Sequence, residues 1–274
     1  MTLSGDTMPI DMAGAPGPRR TAGPPRRTAG DVVRTGVRGF GQLLVTLGLV
    51  LLLFVVYELY VTDFLSGREQ HALADDLRTS WDDSTVNAAP GTAGVAEPEI
   101  GAGVAFLHIP RLGEEWNRAV VQGTGQEELE QGPGHYVGTA MPGQPGNVGI
   151  AGHRVGRGSP FLDLDKMRPG DAIVLETADA WFTYRVLGDA ATGNFDTDPS
   201  GIPGQQIVTP SNVDVISPTP GQPADAAASG SYLTITTCHP KYSARQRLVV
   251  HARLDGAPLS KADSPDGPPA LDGR

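Results

Sequence analysis

The 274-residue chain has a single cysteine, which excludes a disulfide framework and any thiolate metal cluster held within one molecule. Cationic residues are in the minority. Lys and Arg number 21 against 31 Asp and Glu, a formal net charge of −10, so nucleic acid is not expected as a partner. With 36 glycines and 24 prolines, more than a fifth of the chain, much of the length goes to loops, turns and tails, which argues against a long helical bundle. The sequence contains no internal repeat. Hydrophobic residues still reach 39%, enough for one core, and the length allows one or two domains.

The charge is unevenly spread. Residues 1–38 hold six Arg and three Asp, a net +3, while the remainder carries −13. At the junction, Gly39–Tyr57 is a run of 19 residues with no charge. As a helix rising ~1.5 Å per residue it spans about 28 Å, close to the ~30 Å hydrocarbon core of a bilayer. Arg34 and Arg38 precede the run, and Glu58 and Asp63 follow it. This asymmetry predicts a single transmembrane helix at 39–62, a cytoplasmic N-terminus and an extracellular remainder, so the chain is expected in the cell membrane. A cleaved signal peptide is the alternative. The long leader, the length of the run and the lack of a small-x-small site after it count against that reading. Neither Arg pair leads directly into the run, as a twin-arginine signal would.

Residues 1–38 show no apolar period and read as a disordered tail. Residues 63–99 read as a stalk, with a short helix over Arg68–Arg78 and a flexible spacer after it. From residue 100 to 254 the pattern changes to short β-like runs between Gly and Pro: 104–109, 119–122, 147–153, 172–176, 181–187, 206–208, 232–238 and 247–254. Eight such runs predict an all-β barrel or sandwich. Two long loops, 188–205 and 209–231, interrupt them, and the second is long enough to bind something. Residues 255–274 read as a second disordered tail.

The one cysteine, Cys238, ends the run YLTITTC and precedes His239-Pro240. A free cysteine is most often inert core. Here Pro240 stops the ladder, which leaves the sulfur at a sheet rim, and an exported domain gains little from an idle oxidisable thiol. A thiol nucleophile needs a base or a cation beside it. His239 points to the opposite face of the strand, His71 lies in the stalk, and His108 and His251 sit inside strand-like runs. His153, ending NVGIAGH among small residues, is the first candidate and His135 the next. Acyl transfer also needs an oxyanion stabiliser. Arg247 opens the run after the cysteine and Arg245 competes with it; spacing alone does not separate them.

These motifs together resemble those of the sortases, membrane-anchored cysteine transpeptidases of Gram-positive bacteria. Thr234-Ile235-Thr236-Thr237-Cys238 is similar to the family's T-L-x-T-C, with Ile235 in place of Leu. Ala151-Gly152-His153 matches its A-G-H, and Arg247-Leu-Val-Val its final arginine strand. The segments 132–154 and 237–252 look most like class E members of actinobacteria. A second membrane segment and an aromatic–Asp-Pro lid, typical of pilus-assembling members, are not found in the sequence. The resemblance implies an eight-stranded sortase barrel with short helices over residues 100–254. It makes Cys238 the nucleophile that forms an acyl-thioester, His153 the proton donor and acceptor, and Arg247 the stabiliser of substrate and oxyanion. Thr237 and the loop 209–231 would contact substrate. It further implies cleavage of an L-A-x-T-G or L-P-x-T-G sorting signal between Thr and Gly. The partners would be secreted proteins bearing that signal, a peptidoglycan amine and the cell membrane. No cofactor is expected, and the pair Asp163 and Asp165 reads as part of a turn rather than a metal site. Two rivals stand beside this reading: an L,D-transpeptidase, which should show Ser-His-Gly-Cys, and a tethered β-domain that binds wall or protein partners without catalysis.

Overall fold

The computed structural model describes residues 29–57, 62–84 and 97–272, in two compact units divided near Leu53. The first unit is dominated by helix α1 (Ala29–Val56). Its 24-residue stretch Val33–Val56 has a mean hydropathy of 2.4, long and apolar enough to cross a membrane. The helix begins ten residues before the predicted span, so residues 29–38, expected in the disordered tail, are helical. No proline occurs between Pro25 and Pro90, so residues 29–38 contain no proline to stop the helix. Residues 1–28 of the expected tail lie outside the described residues.

In the second unit, α2 (Thr62–Ser84) is twice the length of the short helix expected in the stalk, and it is docked rather than solvated. Leu73 and Leu77 are one turn apart and buried, with Ala74 and Trp81 beside them, against Phe106, Ala119 and Val121. Trp81 meets Phe106 edge-on at 5.4 Å. Gln70 adds hydrogen bonds in both directions with Ala119, its Oε1 accepting from the backbone N and its Nε2 donating to the carbonyl, each 3.0 Å long. Four apolar positions among many charges make a weak period in sequence. The predicted spacer lies mostly in 85–96, outside the described residues.

The barrel strands are β1 (Gly103–His108), β2 (Asn117–Gln122), β3 (Gly134–His135), β4 (Gly146–Ala151), β5 (Ala172–Glu176), β6 (Ala180–Val186), β7 (Gln205–Val208), β8 (Ser231–His239), β9 (Gln246–Leu254) and β10 (Leu259–Ser260). A six-residue helix, α3 (Gln126–Gln131), precedes β3. Eight strands close in the order β6-β5-β1-β2-β3-β4-β8-β9, with β9 pairing back onto β6. The expected eight-stranded barrel is therefore present, with one exchange of members. The predicted run 206–208 became β7, an edge strand on β9 outside the ring, and its place is taken by the two-residue β3, which no period could announce. Most pairs are antiparallel; β2–β3 and β4–β8 are parallel.

Ile150, Ile173, Tyr184, Leu233, Ile235 and Val250 fill the interior. The expected C-terminal tail is ordered to Asp272: β10 pairs with β6, Ala270 packs against Val174 and Trp181, and Trp181 Nε1 donates to the Ser264 carbonyl over 3.0 Å. Its Pro, Asp and Gly content makes turns, and the apolar anchors between them are single residues. Lys261 in this strap pairs with Glu176 at 2.7 Å and sits 4.3 Å over the Trp81 ring. Strap, barrel and α2 thus meet at one lysine.

Leu77→Ala is expected to weaken α2 docking by about 2–3 kcal/mol, through lost burial and the cavity left against Phe106. Hydrogen exchange should speed up over residues 62–84 while the barrel strands keep their protection.

Candidate active site

Strand β8 alternates. Leu233 and Ile235 point into the barrel, so Thr234, Thr236 and Cys238 share the outer face. That face is nonetheless covered, because Thr234 and Thr236 are both buried. Its cover comes from two loops. On the β4 side, Tyr136 lies over Gly149, and its hydroxyl meets Thr236 Oγ1 at 2.9 Å. On the other side, the 3-10 turn Val213–Ile216 inside the loop 209–231 reaches β4 and β8: Asn147 Nδ2 donates to the Val215 and Ser217 carbonyls at 3.2 and 3.0 Å. Beneath these covers, Gly149, Ala151 and Thr236 give the outer face a layer of small side chains. Tyr136 was not singled out by the sequence reading. Its position across from a strand threonine 100 residues away leaves no local signal.

The register then brings the predicted residues to one end of that face. β4 runs parallel to β8 with Ala151 opposite Thr236, so His153 follows its strand's last paired residue by the same two positions as Cys238 follows Thr236. Gly152 N donates to the Thr236 carbonyl at 3.1 Å, and Thr237 Oγ1 donates to the Gly152 carbonyl at 2.8 Å. Thr237 is buried on the inner side of β8, so it fixes the His153 segment from beneath rather than lining the outer face. Across β9, Cys238 is paired directly with Arg247. Arg245 lies in the exposed turn before β9, outside this pairing. The Arg247 guanidinium donates through Nη1 to the Ala244 and Gln246 carbonyls, at 3.0 and 3.1 Å, and so is held by its own turn.

The other histidines do not reach this end. His135, the second candidate, is fully buried, with Nδ1 2.8 Å from Gln122 Oε1 and Nε2 near the Ala140 carbonyl and Thr139. His251 is also enclosed, 2.8 Å from Thr234 Oγ1, and burial pushes its pKa down to about 3. His108 pairs with Glu176 at 2.8 Å, and His71 lies exposed on α2. His153 is half-buried. Desolvation lowers its pKa, the nearby Arg157 lowers it further, and Glu130 partly opposes them.

Arg154 is a second residue the sequence reading passed over. Only 3% exposed, it donates from Nη1 to His239 Nδ1 at 2.9 Å and pairs through Nη2 with Asp165 at 2.9 Å. It therefore bridges the segment that carries His153 and the strand end that carries Cys238. Asp163 pairs with Lys166 at 2.9 Å and Lys241 at 3.3 Å, fastening the β8–β9 turn to the same segment. Both aspartates once weighed as a metal pair are thus engaged with cations.

A family model described as a sortase domain matches residues 107–255, more than half of the chain. The chain belongs to the sortase family. Sortases are cysteine transpeptidases, and the order His, Cys, Arg at one barrel end agrees with that chemistry. Sortase SrtE1 of Streptomyces coelicolor is 34% identical over 232 residues, 82% of this chain and 59% of that protein. Sortase SrtE2 of the same organism is 33% identical over 247 residues, and the alignment spans 87% of this chain and 88% of that one. Among solved structures, sortase E from Streptomyces avermitilis is 40% identical and superposes with a TM-score of 0.51, covering 64% of this chain and 99% of the other. These relatives make this sortase one of class E type, and the L,D-transpeptidase reading falls.

Gly152 has no room for a side chain: a Cβ there would lie 2.5 Å from Phe161 Cε2, and Phe161 is itself fully buried and stacked on Trp116. Gly152→Ala is expected to cost about 1–3 kcal/mol in thermal unfolding. It should lower turnover more than its stability loss explains, because the backbone carrying His153 must move.

Proposed function

We propose that this sortase cleaves an L-A-x-T-G or L-P-x-T-G sorting signal between Thr and Gly and joins the new C-terminus to a peptidoglycan amine. The direct pairing of Cys238 with Arg247, beside the parallel strand that ends in His153, carries this reading. The Cys238 thiolate attacks the Thr carbonyl carbon, and Arg247 swings from its turn carbonyls to donate to the oxyanion that forms. When the tetrahedral adduct collapses, the C–N bond breaks and His153, as imidazolium, protonates the departing glycyl amine. The acyl group is left on Sγ as a thioester. An incoming amine gives its proton to the now neutral His153 and attacks the thioester, releasing the product and the Cys238 thiolate.

The signal peptide would enter at the Cys238 end of the outer face, beside Tyr136 and the turn at 213–216, its Thr nearest Cys238. Thr237 acts from below by holding the Gly152 carbonyl. Helix α1 spans the cell membrane with the arginine-rich N-terminus inside, which holds the barrel on the outer side where secreted substrates and lipid-linked wall precursors meet. No cofactor takes part in any of these steps.

Full-length protein in detergent micelles, incubated with each peptide with and without an amine acceptor, tests the reading. Mass spectrometry should find a thioacyl adduct on Cys238 and cleavage after Thr, both missing in Cys238→Ala. A folded protein that forms no adduct with either peptide overturns it.

The pH profile offers a second test. Arg157 holds the His153 pKa down and Glu130 holds it up. Arg157→Gln should therefore move the limb of the rate profile that reports His153 to higher pH, and Glu130→Gln should move it lower.

A further inference from the structure

A cavity among the described residues has no contact with Cys238. It lies between α2 and the β1–β2 face of the barrel, with a volume of about 430 Å³. Its charged and titratable lining is entirely cationic or imidazole: Arg78, Arg118, Arg157 and His71, with no carboxylate among the lining residues. In a chain of net charge −10 this is a local reversal. The guanidiniums are partly spent. Arg78 is 3.8 Å from Asp75 and Arg157 3.0 Å from Glu130, both pairs partly exposed at the margins. Arg118 has no carboxylate at ion-pairing distance among the described residues. Its recorded bond, from Nη1, goes to the Asn117 carbonyl, and burial lowers its pKa.

Two of the three arginines are set by aromatic rings. Arg78 lies 4.7 Å from the Phe106 centroid and Arg118 5.2 Å from that of Trp116. With the flat faces covered, the N–H edges remain to meet oxygen, and such forks bind oxyanions with two parallel bonds. Asp75 and Glu130 each meet one guanidinium from the margin, which leaves Arg118 uncompensated, and the N–H edges of the three arginines can meet oxygens on several sides of a phosphate ester. The cavity also shares a wall with the site. Arg157, Gly158 and Pro160 belong to the turn that follows His153.

We propose that this cleft is a binding site for a diphosphate or phosphate ester, a subsite that holds the anionic part of a ligand next to the transpeptidation centre. The proposal rests on the transpeptidase reading only for its purpose; the site itself stands on Arg78, Arg118 and the cavity. The phosphate could belong to a lipid headgroup or to the sugar-diphosphate portion of an acceptor. Both present the same oxygens to the same forks.

Isothermal titration of the full-length protein in neutral detergent micelles tests it, with inorganic diphosphate, inorganic phosphate and acetate as probes. Diphosphate should bind more tightly than phosphate, and acetate should give no saturable heat. Arg118→Gln and, separately, Arg78→Gln should each weaken diphosphate binding about ten-fold or more, the loss expected for a charge-assisted hydrogen-bond pair. Because Arg78 is on the open side of α2, its replacement reports on binding even if Arg118→Gln disturbs the fold. Glycerophosphoglycerol and a nucleoside diphosphate-sugar, titrated as competitors, separate the two sources: the tighter competitor names the class. Absence of diphosphate binding at millimolar concentration, or equal binding by wild type and both variants, overturns the proposal. Acylation of Cys238 by signal peptide, followed on the same wild-type preparation, reports the transpeptidase reading separately. Acylation without diphosphate binding removes the subsite alone; binding without acylation removes the reaction and leaves the site.

Discussion

The ladder on either side of β8 is the constraint on which the rest depends. Its parallel neighbour β4 fixes how far along the strand the His153 segment ends, and its antiparallel neighbour β9 fixes which residue faces Cys238. A slip of one residue in either pairing turns every side chain of the strand to the other face, so the constellation survives only in this register. The interior enforces it. Ile150, Leu233, Ile235 and Val250 fit the core only when Thr234, Thr236 and Cys238 point outward. Core packing thereby sets the positions of Cys238, Arg247 and the segment that carries His153.

Around that register the protein adds short ties between the segments that follow the strands. Arg154 joins the β4 exit to His239, Thr237 joins β8 to Gly152, and Lys241 joins the hairpin turn to Asp163. None of these three touches the outer-face layer. Each reduces the freedom of a loop that carries, or adjoins, a group assigned to the chemistry, and that kind of pre-organisation is what a reaction between positioned groups requires. Arg247 is the exception. Its present partners are its own turn carbonyls, so it is restrained but free to exchange them for a substrate oxygen.

Much of this was legible in the sequence, for identifiable reasons. Strands such as YLTITTC and RLVVHARL alternate strongly and are bounded by Gly or Pro, and the end of one strand is where Cys238 had to be. The His153 position was readable because a glycine-flanked strand end is a local pattern. What escaped was non-local or too short. β3 has two residues, Tyr136 matters through a partner 100 positions away, and Arg154 looked like an ordinary charged neighbour until its burial was known. The C-terminal strap reads as disorder because its turn residues outnumber its anchors, yet Trp181, Ala270, Lys261 and the β10–β6 pairing hold it. Helix α2 was undercounted because its docking stripe is narrow and half its grip is a glutamine bonding to backbone.

That docking of α2 has a mechanical side. The helix is fastened along the barrel by Leu73, Leu77 and Gln70, on the β1–β2 side. In the membrane-anchored arrangement proposed above, tension reaching residue 62 would load this lateral seam first, where it would have to peel side chains away one turn at a time. The strands that set Cys238 opposite Arg247 are not in the line of pull. Under that arrangement the seam would act as strain relief, leaving the Cys238–Arg247 pairing still while the tether is tugged.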